Sequence, residues 1–217
     1  MGKRCYALLL AAGESRRMGQ LKALLPWHGT TLLEHQVAAL QAGGVNQTIV
    51  VLGHQAERLQ GLAAGKEGVS CAVNPDYLRG KTTSIKAGLD ALQQTLLGRG
   101  AACRAPAPTG DTEGSPGASL LILNVDQPRS AGTIRHLLQQ HCQGNSLITI
   151  PTYEGKGGHP IVLDLSLLEE LRGIKEETLG VKAVVQRHPE ATQRVEVDNP
   201  EVLLDLNTPE QYQAALN

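Results

Sequence analysis

A chain of 217 residues suffices for one α/β domain with a single large core, and no segment approaches the roughly 18 apolar residues of a membrane helix. Lys and Arg number 20 against 21 Asp and Glu, so the formal charge of -1 excludes the global basic footprint of a duplex nucleic-acid binder and leaves any cationic site local. With aromatic residues at 2% and no Phe, the core must be built from Leu, Val, Ile and Ala, without a platform for a series of stacked bases.

At the N-terminus, Lys3 and Arg4 precede an apolar run that superficially resembles a signal peptide. The run leads into Glu14, Arg16 and Arg17 instead of a cleavage region, so a soluble cytoplasmic protein is expected. Cys5, Cys71, Cys103 and Cys142 are scattered without C-x-x-C or Cys/His spacing, which argues against a zinc site or a disulfide framework. Cys5, Cys71 and Cys142 lie in or beside apolar segments and are expected in the core.

Leu8–Ala12 is read as a buried strand that stops at Gly13 and passes into a polar loop carrying Arg16, Arg17 and Lys22. Glycines admit close approach of backbone N–H groups to an anion and the cations compensate its charge, so phosphate is the first ligand to consider. The loop is no P-loop, because Gly19 is followed by Gln20 and Leu21, and no dinucleotide turn, because no glycine lies between Gly13 and Gly19.

Thr31 with Glu34 three residues on makes a capping box, and Leu33, Val37 and Leu40 predict a helix over 31–42 that Gly43 and Gly44 stop. Strands are predicted at Thr48–Leu52 and Ser70–Val73, around a weakly patterned helix at Gln55–Ala64, before a turn at Asn74-Pro75. From Gly80 a hydroxyl-rich start (Lys81, Thr82, Thr83, Ser84) leads into Ile85, Leu89, Leu92 and Leu96 at helical spacing. That N-terminus either favours an acceptor-rich ligand or is simply capped. The Gly/Ala/Pro/Ser/Thr-rich stretch 98–119 has no hydrophobic period and predicts a mobile surface insertion.

Leu120–Val125 resumes the sheet and ends at Asp126-Gln127-Pro128, where open α/β sheets place their ligands. Asp126 is a candidate Mg²⁺ ligand, although a lone Asp after a strand also serves as a helix cap. A helix at Ala131–Cys142 and a strand at Leu147–Pro151 precede a loop of Gly155, Gly157, Gly158, His159 and Pro160, then a strand at Ile161–Leu163. His159 is either a phosphate contact or a turn residue. Amphipathic Leu165–Leu171, a helix at Gly180–His188 and a strand at Thr192–Val197 follow, and Thr208-Pro209 opens a last helix after the apolar run that carries Asp205.

Five ordered strings span Leu8 to about Tyr212: L-A-A-G-x-S-x-R-M-G-x-x-K (Leu10, Ala11, Ala12, Gly13, Ser15, Arg17, Met18, Gly19, Lys22), N-P-x-x-x-x-G, D-Q-P, G-H-P and D-x-N-T-P-E. Together they resemble the MobA-like nucleotidyltransferases, the family that includes the molybdenum cofactor guanylyl- and cytidylyltransferases. The resemblance implies a single-domain, Rossmann-like three-layer α/β fold with a mostly parallel sheet. It also implies transfer of a nucleoside monophosphate, with release of pyrophosphate, to a phosphorylated acceptor such as molybdopterin cofactor. Arg17 and Lys22 would neutralise the triphosphate, and the base would lie over Ala11 and Ala12 with Gly80 and Ser84 nearby. Mg²⁺ or Mn²⁺ would sit on Asp126, shared with Asp205, while Gln127 and His159 would face the acceptor. Ala11-Ala12-Gly13 and Asp126-Gln127-Pro128 lean to CTP over GTP, and a molybdoenzyme or its chaperone is the protein partner the resemblance suggests. Asn207 and Gln211 stand where the family usually has Asp, so the second metal contact either uses Asp205 or is weakened. A sugar- or alditol-phosphate nucleotidyltransferase and a catalytically silent nucleotide-binding protein remain the alternatives.

Overall fold

The computed structural model describes residues 3–98 and 117–216, so most of the expected insertion at 98–119 lies outside the described residues. Its far boundary is corrected: Ser119 is not loop but the buried first residue of a central strand.

In chain order the elements are β1 (Cys5–Ala11), β2 (Pro26–Trp27), β3 (Thr30–Thr31), α1 (Leu32–Ala42), β4 (Gln47–Leu52), α2 (Ala56–Ala63), β5 (Val69–Val73) and α3 (Lys81–Leu96). Then come β6 (Ser119–Asn124), α4 (Ala131–Gln143), β7 (Ile148–Tyr153), β8 (Lys156–Gly157), β9 (Ile161–Asp164), α5 (Leu168–Arg172), α6 (Val181–Arg187), β10 (Thr192–Glu196) and α7 (Pro209–Leu216). The main sheet runs β10-β7-β9-β6-β1-β4-β5, with β8 paired to β7. β1 pairs in parallel with β4 and β6, β4 with β5, and β7 with β10, whereas β9 is antiparallel to both β6 and β7. The expected mostly parallel α/β sheet is present.

β1 is buried along its whole length, and its alternate residues serve two cores. Cys5, Ala7, Leu9 and Ala11 pack with Leu33, Val37 and Leu40 of α1, Leu59 and Ala63 of α2, and Ile134, Leu137 and Leu138 of α4. Tyr6, Leu8 and Leu10 pack with Ile85, Leu89 and Leu92 of α3, Leu171 of α5 and Val184 of α6. Helices thus cover both faces, which is why β1, β4 and β6 read as continuous apolar runs and not as alternation. Each fully buried Leu contributes about 1.5–3 kcal/mol relative to exposure. α3 lies close on the sheet because Gly88 has no side chain; a Cβ there would come within 2.9 Å of Leu8 and Val51.

The helix starts follow their caps. At α1, Thr31 Oγ1 accepts from Glu34 N at 3.3 Å and Glu34 Oε2 accepts from Thr31 N at 3.2 Å, the reciprocal box the spacing predicts. At α7, Gln211 N donates to Thr208 Oγ1 while Gln211 Oε1 accepts from Thr208 N and Asn207 N, so the residue that departs from the family acid completes a second box. A third cluster of Met18, Leu25, Trp27, Leu32, Leu206 and Tyr212 ties the first loop to the chain's last segment. Cys5 is buried and Cys71 half-buried, but Cys142 is exposed on α4, contrary to its expected place in the core. Among the described residues no helix is long and apolar enough to cross a membrane.

Candidate active site

Parallel strands β1 and β6 end side by side, Leu10 opposite Asn124, and the loops leaving them open a cleft of about 530 Å³. The cleft is lined by Leu10, Ala11, Ala12, Gly13, Ser15 and Lys22 from the first loop, by Gly80 and Ser84 from the start of α3, and by Asp126, Gln127, His159 and Asp205. Of the residues to which the family resemblance gives a contact with nucleotide, metal or acceptor, Arg17 alone is absent from this lining; it is exposed on a short 3₁₀ turn over Arg16–Met18, beside an Arg16–Glu14 ion pair at 2.8 Å.

Lys22 is brought inward by its backbone: its N–H donates to Ser15 Oγ at 3.1 Å, closing the glycine loop on itself. Its ammonium donates to Asp126 Oδ2 at 2.7 Å and to Asn207 Oδ1 at 3.1 Å, with the lysine side chain only 12% exposed. Asn207, which departs from the family acid, therefore keeps a polar oxygen in the site. The segment carrying Asp205 is held against Asp126 because Leu206 N donates to Asp126 O at 2.9 Å.

Gln127 links the next three groups. Its Oε1 accepts from Asn124 Nδ2 at 2.8 Å, which fixes the amide orientation, and its Nε2 donates to Asp205 Oδ1 at 2.6 Å. The same Nε2 lies 3.2 Å from His159 Nδ1. With that nitrogen accepting, the ring proton sits on Nε2. Burial, then the positive charges of Lys81 and Arg129, push His159 down to about 4 against the opposing pull of Asp205 and Asp126, so the ring is neutral at physiological pH.

The hydroxyl-rich start of α3 is largely committed internally. Thr83 Oγ1 donates towards Gly80 O, and Asn74 Nδ2 donates to both Thr83 Oγ1 and Ser84 Oγ at 2.9 Å, tying the helix to the Asn74-Pro75 turn. Thr82 N donates to Glu176 Oε2 at 2.9 Å, and this bond, first among several, holds the Glu176 carboxyl below its usual range. Gly80 has φ of 121°, and a Cβ on it would meet the Glu176 carboxylate at 2.6–2.7 Å, so glycine is required there.

Lys81 was given no site role in the sequence. It lines the cleft, and desolvation lowers its pKa while Asp126, Asp205 and Glu176 pull it back up. A cation in the first turn of a helix opposes the helix dipole, and that local conflict was the available signal.

Asp126 and Asp205 offer hard oxygen donors on adjoining segments, and the Lys22 ammonium on Asp126 shows that this oxygen faces a cation. Among the described residues no cluster of three or more His, Cys, Asp or Glu could enclose a metal by itself. The donor set suits a Mg²⁺-like ion that takes one or two carboxylates and completes its shell with phosphate oxygens.

Comparison with known proteins shows what the chain is similar to. Over 209 residues the chain is 28% identical to molybdenum cofactor cytidylyltransferase of Escherichia coli, covering 94% of this chain and 92% of that protein. It is also 28% identical, over 213 residues and the same shares of both chains, to nicotine blue oxidoreductase of Paenarthrobacter nicotinovorans. The crystal structure of Rv0371c from Mycobacterium tuberculosis superposes with a TM-score of 0.74 at 24% identity, over 100% of this chain and 99% of that one. A second structure of Rv0371c, at TM-score 0.68 and 22% identity, is a complex with manganese and covers 99% of this chain and 98% of that one. The model of the MobA-like NTP transferase domain matches residues 7–192, and the chain belongs to that family.

Proposed function

We propose that the protein transfers a nucleoside monophosphate group, CMP in preference to GMP, from a nucleoside triphosphate to the phosphate of molybdopterin cofactor. An acceptor phosphate oxygen attacks the α-phosphorus, the new P–O bond forms as the α–β bridge breaks, and pyrophosphate leaves with the displaced electron pair. The observation that carries this reading is the convergence of Lys22, Asp126, Asp205 and His159 on one cleft beside a glycine loop at the ends of two parallel strands.

The chain's own residues supply positioning and charge, the main demands of an in-line phosphoryl transfer. Gly13 and Ser15 present the loop to the triphosphate, Lys22 and Lys81 offset its charge from within the cleft, and Arg17 adds an exposed charge outside it. Ala11, Ala12, Gly80 and Ser84 border the base. His159, neutral with its proton on Nε2, donates to the acceptor phosphate and Gln127 holds it in that tautomer. Asp126 and Asp205 hold a divalent ion, Mg²⁺ or Mn²⁺, which supplies charge neutralisation at the transferring phosphoryl group when bound. The CTP preference draws support from Ala11-Ala12-Gly13 and from the similarity to the cytidylyltransferase.

A second reading, a nucleotide binder that transfers nothing, is favoured by the Lys22 ammonium sitting on Asp126. Calorimetric titration with CTP, GTP, UTP and ATP, with and without Mg²⁺, followed by a pyrophosphate-release assay with molybdopterin cofactor, separates the two. Metal-enhanced CTP binding with pyrophosphate release is expected; binding without metal enhancement or release would establish the second reading.

A further inference from the structure

Arg129 follows the D-Q-P string and is 1% exposed, yet no carboxylate touches its guanidinium among the described residues. It donates instead to four backbone carbonyls. Nε reaches His159 O at 2.8 Å, Nη1 reaches Pro128 O at 2.8 Å and Leu204 O at 3.1 Å, and Nη2 reaches Val202 O at 2.9 Å. Its own N–H donates to Gln36 Oε1 at 3.2 Å.

Burying a guanidinium is costly unless its donors are satisfied, and here the planar fork spends them on three chain segments at once. Those segments carry Asp126 and Gln127, His159, and Asp205. Of the carbonyls it gathers, those of Pro128 and Leu204 adjoin Gln127 and Asp205, one belongs to His159 itself, and that of Val202 lies three residues before Asp205. Two further bonds cross the same junction: His159 N donates to Val202 O at 2.9 Å, and Leu206 N donates to Asp126 O at 2.9 Å.

We propose that Arg129 is the positioning residue of this site, clamping three loops so that Asp126, His159 and Asp205 keep their mutual spacing for metal-dependent triphosphate binding. The functional half of this inference rests on the nucleotidyl-transfer reading. The clamp itself does not. Lysine keeps the charge but has no fork, and methionine removes both, so the two variants separate charge from geometry.

The experiment compares wild type, Arg129→Lys and Arg129→Met by amide hydrogen exchange and by calorimetric titration with CTP, with and without Mn²⁺. In Arg129→Lys, which retains the buried charge, the amides of His159 and Leu206 are expected to exchange at least about tenfold faster while those of β4 are unchanged. Metal enhancement of CTP affinity is expected to fall about 10–100-fold, the scale for losing an outer partner of metal ligands, with metal-free affinity within about threefold. Arg129→Met should exceed Arg129→Lys in both readouts, and Arg129→Lys carries the test if Arg129→Met does not fold.

Unchanged protection at His159 and Leu206 in Arg129→Lys would overturn the clamp. Lost protection with wild-type metal enhancement would reduce Arg129 to a stability element and overturn its positioning role. If wild type itself shows no metal enhancement, the nucleotidyl-transfer reading fails, and protection at the two amides alone decides whether Arg129 clamps the loops.

Discussion

Two loops leave neighbouring strands at the same end of the sheet and are built in opposite ways. The loop after β6, from Asp126 to Ser130, is held on every side. Gln36 reaches the Gln127 carbonyl, Arg129 ties Pro128 to the His159 and Leu204 carbonyls, and Glu201 Oε1 accepts from Ser130 N at 3.1 Å. The loop after β1 has Ser15 and Gly19 in the left-handed region at φ of 55° and 68°, with Arg16 and Arg17 exposed between them. A carboxylate that must meet both an ion and a reacting phosphoryl group needs fixed placement. An exposed cation such as Arg17, facing a flexible triphosphate chain, does not.

The comparison orders the expected effects of mutation. Asp126→Ala, on the fixed loop, should reduce metal-dependent pyrophosphate release by at least about 100-fold while the melting curve stays cooperative. Undiminished release would move the metal assignment elsewhere. Lys22→Met removes a charge-assisted contact of about 1.5–3 kcal/mol and should weaken triphosphate binding by roughly 10–150-fold in calorimetry. An equal loss from Lys22→Met with and without metal would mean that Lys22 serves the phosphates, whereas a loss confined to one condition would mean that its bond to Asp126 is the one that matters.

Acid should act on the fixed side of the comparison. His159 titrates near 4 in the fold against an ordinary value of 6.5, so between these the unfolded chain holds the extra proton and stability falls as pH is lowered from about 6.5 towards 4. His35 and His141, also lowered chiefly by burial, contribute with the same sign. Thermal melts across this window should show the slope, and His159→Gln should flatten it. The smallest effect is expected from Arg17→Ala on the open loop: exposed and outside the cleft lining, it should cost triphosphate affinity only about two- to threefold. A loss as large as that of Lys22→Met would show that the open loop closes fully over the ligand and would erase the contrast.

The contrast also explains what could be read in the residues alone. β1, β4, β6 and the α1 cap announce themselves because continuous apolar runs and a Thr31–Glu34 box are local signals. Asp126, Lys22 and Asp205 were legible because each belongs to a string of residues close in sequence. Gln36, Arg129 and Glu176 were not, since their partners lie many residues away and only the fold sets those distances. The same holds for β9, whose antiparallel insertion between β6 and β7 leaves no mark on four apolar-leaning residues. The hydroxyls at the start of α3 show the converse, a strong local pattern whose groups are spent on Asn74 and Gly80.

The side chains lining the cleft include Lys22, Lys81, Asp126 and Asp205, two charges of each sign, around a neutral His159. Such a balanced set projects little field beyond the roughly 8–10 Å over which salt screens charges. Capture of a polyanion by this site should therefore be slow to respond to ionic strength, with affinity set by contact after arrival and not by long-range attraction.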